Sequence, residues 1–535
     1  MNPARAPRPR RHAPRWHAPR RHALGRTLAV VGATTFVLAG CSGSPADDTG
    51  SASTTGAAGQ GGTLRVGISA LSTSDSLDPA QASTAGGYAI AGQLYDTLTE
   101  YGTDGAVAMR LAESVEPGET AAEWTVTLRD GATFSDGTPV TADDVVATFQ
   151  RIFDEDLPPA ESMPYVDPAA ITVVDDRTLT FELTEPTVLF PEALTSPTVS
   201  IVPADFDPDA PIGSGPFVLD DYEPGSSVTF TANEDYWGEG PQVDELQLLS
   251  FDDASAQVNA LVGGQIDMAS NIDPSLASVV QGSGDAFVVD SYPTSGTLTW
   301  QMNVEQKPFD DPVVRQALRL AVDRQELVDQ ALGGYGTVGN DIFSPFDPMY
   351  AGDLEQREAD PAAAKKLLED AGYTLPISVE LTAAPVTSYS DRLNEVFVQQ
   401  AAEAGFDITF TSVDSATYYG DAYGTYPLSL SYWGFLGIFD QAAFTIVDDA
   451  PYNATKWQDD EYDALYDQAV QTVDDTERGD LVHQMQTIEY ERGAYVVAVF
   501  LDSISAYSSS LTGYSTYPNT DGGNGYHFNT LGFTS

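Results

Sequence analysis

The chain has 535 residues, with 79 Asp and Glu against 24 Lys and Arg, and a formal net charge of −55. A field of that sign repels nucleic acid and anionic lipid headgroups, so we expect neither as a partner. One hydrophobic core stops growing at about 250 to 300 residues, so the length predicts two or more lobes.

The N-terminus has the pattern of an export signal. Residues 1–26 hold eight arginines and no acid, and an uncharged, largely apolar stretch follows at 27–40. This stretch is too short for a permanent membrane helix, which needs about 20 apolar residues, so we interpret 1–40 as a signal peptide. Two arginine pairs leave twin-arginine export open as an alternative to the general route.

The signal peptide ends in Leu-Ala-Gly followed by Cys41, which resembles the lipobox of bacterial lipoproteins. Cys41 is the only cysteine of the chain, so we predict that it is acylated and anchors the protein to the membrane. Residues 41–61 contain no large apolar side chain and are expected to form a flexible tether. The exported body would then stay at the outer face of the cell membrane.

From Thr63 onward, apolar and polar residues alternate over several short runs, which predicts half-buried strands. Clear runs lie at 64–68, 124–128, 179–183 and 228–232. We expect Gly131 and Gly137 to bracket another short strand.

Helices are predicted from their capping residues. A capping box begins at Thr141, and Asp311 and Asp360 each precede a proline at the first helical position. The pattern predicts one helix over 313–332 and another over 362–371, ending at Gly372. Strands and helices interspersed along the chain indicate an α/β or α+β protein.

The sequence lacks the motifs of common enzyme classes. It has no G-x-S-x-G nucleophile elbow and no lysine in a Walker A setting. Residues 334–339 match G-x-G-x-x-G in letters, but they follow a predicted helix instead of a strand, so we interpret them as a helix-terminating loop. We therefore expect no enzyme and no cofactor.

Metal binding by the usual ligands is also disfavoured. Beyond the signal peptide only two histidines occur, His483 and His527, and Cys41 is the sole thiol. A zinc site of the Cys/His type is therefore nearly excluded, and no metal is predicted. His483 fits surface or rim packing on a helix, whereas His527 lies in a glycine-rich loop and its role stays open.

Short segments spread over nearly the whole chain carry a family resemblance. They include GTLRVG at 62–67, LYDTL at 94–98, LRDGATFSDG at 128–137, GSGPF at 213–217, NEDYW at 233–237 and VRQAL at 314–318. In this order and spacing they resemble family 5 of the extracellular solute-binding proteins. That group includes dipeptide, oligopeptide and nickel receptors of ABC importers.

The resemblance implies an α/β, two-lobed periplasmic-binding-protein-like fold of type II, in the large cluster with an extra subdomain. Its ligand cleft closes by a hinge. Lobe I would combine 62–98, 213–295 and 505–535, and 99–212 would be its extra subdomain. Lobe II would be 296–504.

The implied function is that of a monomeric substrate-binding lipoprotein. It would capture a peptide or another small solute and deliver it to a membrane permease and ATPase. A surface lipoprotein sensor or chaperone that uses the same cleft without transport is the alternative. A secreted hydrolase is disfavoured by the missing nucleophile motifs.

The resemblance also locates the candidate site. Peptide receptors of the family carry an acid three residues after a tryptophan, for the peptide's amino group, and some carry an arginine three residues before it. Here Trp433 matches the tryptophan, but Leu430 and Leu436 occupy the two anchor positions. Because leucine cannot pair with an ion, ordinary recognition of peptide ends by these positions is not expected.

Other residues of the same segment are the candidate ligand contacts. Tyr432, Trp433, Phe435 and Phe439 could stack on a planar, sugar or partly apolar solute. Packing of at least two of the four in the core of lobe II is the alternative. Asp440 is the candidate anchor for an amino group, with a helix cap or surface acid as the alternative.

Overall fold

Strands and helices are interspersed along the chain. The computed structural model describes residues 61–69, 71–448, 450–520 and 523–534. In this part of the chain the strands are β1 (Thr63–Ser69), β2 (Thr99–Tyr101), β3 (Val107–Met109), β4 (Ala112–Pro117), β5 (Glu123–Leu128), β6 (Ile171–Asp175), β7 (Thr178–Glu182), β8 (Phe217–Glu223), β9 (Ser227–Ala232), β10 (Glu245–Phe251), β11 (Met268–Ala269), β12 (Phe287–Met302), β13 (Gly336–Val338), β14 (Ile377–Ala383), β15 (Phe406–Ser412), β16 (Leu428–Trp433), β17 (Tyr495–Val496), β18 (Val499–Ser508), β19 (Leu511–Thr512) and β20 (Gly532–Phe533). The strands predicted at 64–68, 124–128, 179–183 and 228–232 are confirmed as β1, β5, β7 and β9.

The helices of the same residues are mostly short. They are α1 (Ala85–Leu94), α2 (Ala142–Asp154), α3 (Pro158–Ser162), α4 (Phe190–Ala193), α5 (Ala254–Val262), α6 (Pro274–Gln281), α7 (Pro312–Leu320), α8 (Arg324–Ala331), α9 (Pro361–Asp370), α10 (Ser390–Glu403), α11 (Ser415–Tyr418), α12 (Ile438–Thr445), α13 (Asp460–Ala469) and α14 (Asp475–Arg492). Short 3₁₀ turns connect some of them.

One large sheet contains strands from distant parts of the chain. Its order is β15-β14-β16-β12-β18-β11-β1-β10-β9-β8, with β13 also paired to β18 and β17 to β12. A separate antiparallel sheet has the order β4-β5-β7-β6, and it lies within the predicted extra subdomain. Parallel pairing of β1 with β10 and of β14 with β15 agrees with an α/β protein.

Strands β12 and β18 cross the middle of the large sheet. They pair antiparallel, and the register shifts between Pro293 and Thr297. The predicted lobe boundaries at 295/296 and 504/505 fall within these two strands. Because a bulge bends a strand and increases its twist, the first boundary coincides with a bend in β12. In this conformation the described residues from Gly61 to Thr534 pack as one unit.

Several predicted caps are confirmed. Thr141 and Asp144 form the capping box that begins α2. The Asp311 side chain accepts from Val313 N at 2.9 Å and that of Asp360 from Ala363 N at 2.8 Å, so both act as N-caps. The second helix ends as expected, because Gly372 follows it with a φ of +89°.

The predicted single helix over 313–332 is wrong. The chain forms α7 and α8, which are separated by a break at 321–323. Asp323 ends the break, since its side chain accepts from Glu326 N at 2.9 Å and caps α8. Arg315 and Asp323 therefore do not share a helix. The loop prediction for 334–339 is only partly right: Gly334 turns with a φ of +88° after the helix, but Gly336–Val338 form β13 and pair with β18.

The segment between Gly131 and Gly137 is a turn with an isolated bridge, Thr133 to Pro139, in place of the predicted strand. Both glycines have a positive φ, as turn residues do. Position 213 requires glycine because another segment of backbone lies very close to it. A Cβ there would lie 1.9 Å from the Leu94 carbonyl oxygen.

The buried apolar residues fall into separate clusters. One is formed by residues between 111 and 201 with Ala80 and Leu98, and another by residues between 298 and 501. In the second, Trp300 stacks on Phe397 with ring centroids 4.0 Å apart. A third cluster joins residues from 64–95, 202–268 and 511–531. Each cluster thus packs its own set of strands and helices, while the residue bounds of the lobes stay a prediction.

Candidate ligand-binding site

The segment around Trp433 is the end of an interior strand. β16 pairs antiparallel with β12, with Trp433 opposite Thr297, and pairs parallel with β14 on its other side. Successive side chains of a strand point to opposite faces of the sheet. Leu428 and Leu430 pack into the hydrophobic core on one face, and Trp433 lies on the opposite face. Leu430, one of the two anchor positions, is therefore a core residue. A turn at 434–437 then leads into α12.

The face of the strands that carries Trp433 is polar although it is buried. Thr299 and Gln301 of β12 and Ser429 and Ser431 of β16 all lie on it with little exposure. The Ser429 hydroxyl donates to Gln301 Oε1 at 3.2 Å. Buried polar side chains of this kind need partners, so this face is built for specific hydrogen bonds instead of general apolar packing.

Trp433 and its aromatic neighbours do not form one group. The part-buried Trp433 ring meets the ring of Tyr452 edge-on, with centroids 6.1 Å apart. Its Nε1 is buried and has no hydrogen-bond partner among the described residues. Tyr432, which is 37% exposed, and part-buried Phe435 instead come together beside Gly296, at the bend of β12.

Phe439 is a core residue in this structure. Only 4% of it is exposed, and it belongs to a cluster that also contains Ile438 and Met485. Its ring lies edge-on to Tyr466, with centroids 6.1 Å apart. The ring therefore supports α12 from beneath and offers no surface to a solute in this conformation.

Asp440 lies in the first turn of α12, beside Glu192 from α4. Burial raises the pKa of Asp440 to about 6. Burial, and then the charge of Asp440, raise the pKa of Glu192 to about 8. Two buried carboxyls this close cannot both ionise at little cost, so they titrate as a pair.

Glu192 is held firmly against the start of α12. The Tyr101 hydroxyl donates to its Oε1 at 2.7 Å, and a Cβ on Gly437 would lie 2.5 Å from the same oxygen. Sequence reasoning missed Glu192, because nothing in the sequence marks it among 79 acidic residues. The pair joins 99–212 to 296–504, two segments that were predicted to lie in different lobes.

The two histidines have separate surroundings. His483 lies on α14 and forms a contact with Asp353 Oδ1 at 2.9 Å near the surface. His527 is enclosed, and burial followed by the charge of Arg110 lowers its pKa to about 3. Its ring stacks on Tyr517 with centroids 4.6 Å apart. Within the described ranges, no three His, Cys, Asp or Glu side chains are grouped to hold a metal ion.

The signal peptide, Cys41 and nearly all of the predicted tether lie outside the described residues. In the part of the chain that the structure describes, every helix is too short or too polar to cross a bilayer.

Solved structures share this fold over most of the chain. A substrate-binding protein of an ABC transporter from Listeria monocytogenes, CtaP, superposes with a TM-score of 0.78 at 24% identity, covering 89% of this chain and 100% of that one. A nickel ABC transporter protein from Bacillus halodurans gives a TM-score of 0.76 at 24% identity, covering 88% and 99%. The oligopeptide-binding protein AppA from Bacillus subtilis, in complex with a nonapeptide, gives 0.69 at 23% identity, covering 90% and 100%. These likenesses confirm the predicted two-lobed fold.

Sequence comparison identifies relatives of the same kind. Glutathione-binding proteins named GsiB from Salmonella typhi and Escherichia coli (strain K12) are each 27% identical, over 464 and 473 residues, covering 83% of this chain and 90% of theirs. Residues 106–475 match the family described as bacterial extracellular solute-binding proteins, family 5 middle. The match spans well over half of the chain, so this protein belongs to family 5 of the bacterial extracellular solute-binding proteins.

Proposed function

We propose that this chain is the substrate-binding lipoprotein of an ABC importer. It captures a peptide or another small solute between two lobes and passes it to a membrane permease. The lobes are 62–98 with 213–295 and 505–535, extended by the subdomain 99–212, and 296–504.

One observation carries the proposal. Tyr432 and Phe435 meet at Gly296, where β12 bends between the two predicted lobes. Ligand sites of hinge-closing proteins lie between the moving parts, because a bound solute must contact both to favour closure. This position supports the candidate segment as part of the ligand site.

The roles within the site follow from exposure. Trp433, Tyr432 and Phe435 provide aromatic surface, and Asp440 provides the polar anchor. The unpartnered Nε1 of Trp433 donates to an acceptor on the solute. Phe439 acts indirectly, by supporting α12.

Glutathione is the first solute to test, because the relatives from Salmonella typhi and Escherichia coli are named as glutathione-binding proteins. Short peptides come next, because AppA was solved with a nonapeptide.

The test starts with native mass spectrometry of the purified full chain, to identify any solute that copurifies. Calorimetry with that solute and with glutathione then measures affinity, and small-angle scattering measures closure. We expect binding accompanied by a more compact particle. A single unchanging shape and no bound solute would contradict the receptor function.

Anchoring is tested separately in cells. Labelled palmitate should be incorporated by the native chain and not by Cys41→Ser, which should be released from the membrane fraction. Equal labelling of both would remove Cys41 from this role.

A further inference from the structure

A short segment of the proposed subdomain, residues 187–189, contacts the proposed lobe II. At its start, Thr187 N donates to the Ala121 carbonyl oxygen at 3.0 Å. At its end, Phe190 is fully buried in the core cluster that residues between 111 and 201 form. Both ends of the segment are therefore held by the subdomain, which fixes the position of the side chains between them.

Leu189 of this segment packs on a core that is otherwise made by lobe II. The buried residues of that core cluster all lie between 343 and 500, and they include Phe439 and Tyr466. Trp433 of the candidate ligand site packs against the same cluster. Because Leu189 and Trp433 share one core, the subdomain contacts the residues that support the candidate site.

Lobe II contacts the subdomain in return at residues 470–473. Val188 N donates to the Val470 carbonyl oxygen at 2.8 Å. Val470 is the C-cap of α13, and the last carbonyl oxygens of a helix have no partner within it. Val473 packs against the core cluster of the subdomain. The subdomain and lobe II thus exchange apolar side chains around one backbone hydrogen bond.

The 470–473 turn is held by lobe II itself. Arg478 of α14 donates from Nη1 to the carbonyl oxygen of Thr472 at 2.9 Å and to that of Val473 at 3.2 Å. Its Nη2 contacts Asp475, which also belongs to α14. Because each half of the contact is held by its own part of the molecule, the two halves can separate without unfolding.

A second contact joins the same two parts. It is made by Glu192 of α4, the helix that follows the segment. A Cβ on Gly437 would lie 2.5 Å from Glu192 Oε1, and the Tyr101 hydroxyl donates to this oxygen at 2.7 Å. Gly437 immediately precedes α12, so this contact reaches the candidate segment as well.

The connection between the two parts is small. In the described chain, no strand of 99–212 pairs with a strand of 296–504, since β2 to β7 form sheets of their own. Val188, Leu189 and Val473 are each only partly buried. Parts of a chain that meet over a small surface move relative to one another, whereas a large apolar interface prevents such motion. A contact of this size can therefore form and break.

We propose that residues 187–189 and 470–473 form a clasp, which holds the subdomain against lobe II without any solute. This inference rests on the proposed receptor function and adds how its closure is regulated. The solute-free chain then exchanges between an open and a closed state, and the solute raises the closed population. Leu189 is a positioning residue, because it changes solute binding through closure and not through contact with the solute.

Distances across the clasp test the proposal in the solute-free protein. The full chain carries Cys41→Ser, so that spin labels attach only to Glu185→Cys and Gln468→Cys, two exposed positions that flank the clasp in sequence. Unfolding in guanidinium and refolding remove copurified solute, and native mass spectrometry checks its removal. Double electron–electron resonance should then show a population at short distance beside one at long distance.

Variants test the residues of the clasp. Leu189→Ala removes apolar surface from the contact and should lower the ratio of short to long distances by about tenfold. Val473→Ala removes less surface and should lower the ratio by about threefold. Leu157 is also partly buried and packs on the core cluster of the subdomain, so Leu157→Ala is the matched control and should leave the ratio unchanged. Thermal unfolding checks that each variant is folded.

Amide hydrogen exchange gives an independent measurement. The Val188 amide donates across the clasp, whereas the Thr187 amide donates within the subdomain. Local opening exposes an amide to exchange, so Leu189→Ala should bring the exchange rate of Val188 toward that of an unprotected amide. The exchange rate of Thr187 should stay as in the native chain.

The clasp and the receptor function fail in different ways. A solute-free chain that shows only the long distance would overturn the clasp and leave the receptor function intact. The same ratio of distances in the native chain and in both folded variants would also overturn the clasp. Absence of any bound solute from the native chain would count against the receptor function and not against the clasp.

Discussion

Buried acids in two places of this protein have pKa values that are shifted in opposite directions. Burial alone would raise the pKa of Asp341, but Arg324, Arg319 and Arg357 outweigh it and lower the pKa below its usual value. Its Oδ2 accepts from Arg324 Nη2 at 2.8 Å and from Arg357 Nε at 2.7 Å. The acid pair at α12 has no basic partner in the described chain, and its pKa values are raised.

The difference lies in whether the protein itself compensates a buried charge. Arginines of the protein itself compensate Asp341, so its charge is part of the structural framework. No arginine acts on Glu192 or Asp440 in this way, so burial makes both easier to protonate than an exposed acid. The pKa of a buried acid is therefore raised or lowered in this protein, and the presence of neighbouring arginines decides which.

The largest expected effect tests the compensated group. Asp341→Asn leaves arginines buried without their counterion and should lower the free energy of unfolding by about 3 to 5 kcal/mol. Chemical denaturation of the full chain measures this. A loss too small to detect would mean that water, not Asp341, compensates these arginines.

A second prediction concerns the aromatic part of the site. Trp433→Ala should weaken solute binding by about 1 to 3 kcal/mol, because a stacking partner and its buried area are lost. Calorimetry with the copurified solute measures this change. The pH dependence of stability should stay as in the native chain, since the acid pair is intact. Unchanged affinity in a folded variant would remove Trp433 from the site.

A third prediction uses pH. The pKa of Glu192 is raised to about 8 from the 4.5 of an exposed glutamate, so the folded state binds more protons between these values. The stability from this group is present below the unfolded pKa and is lost as pH rises through about 8. Without solute, Glu192→Gln should recover about 1 to 2 kcal/mol at alkaline pH.

Denaturation of the native chain and the variant at several pH values checks this result. Burial also raises the pKa of Glu489 to about 8, so this group changes the stability with pH in the same direction. Glu489→Gln is therefore the comparison variant. Asp341 acts in the opposite direction, because its lowered pKa gives stability that is lost as pH falls. If Glu192→Gln lost stability as steeply as the native chain, the acid pair would not be the source.

The smallest effect is expected at an exposed ion pair. Lys366 and Asp370 contact each other on α9, but their side chains are 72% and 64% exposed. Water and salt screen such pairs, so Lys366→Ala should leave the unfolding temperature unchanged within error. A clear drop in the unfolding temperature would show that an exposed ion pair also stabilises this protein. Burial would then not explain why Asp341 has the larger effect.

Local structure was predictable where it depends on neighbouring residues. Caps at Thr141, Asp311 and Asp360 were correct because a side chain within three residues satisfies the exposed amides. The break between α7 and α8 was missed because Ala321 and Val322 continue the apolar pattern into it, and a periodic pattern does not reveal that the backbone turns there. Trp433 was located only through the family resemblance.

The sequence by itself determined several strands and helix caps, the missing catalytic motifs and the family, because these depend on short-range patterns and on ordered motifs. Only the tertiary structure decided that Phe439 is in the core, and that Glu192 lies against Gly437 at the start of α12, more than two hundred residues further along the chain. Folding sets which charges share a buried space, and that sharing determines their pKa values. No local pattern contains this information.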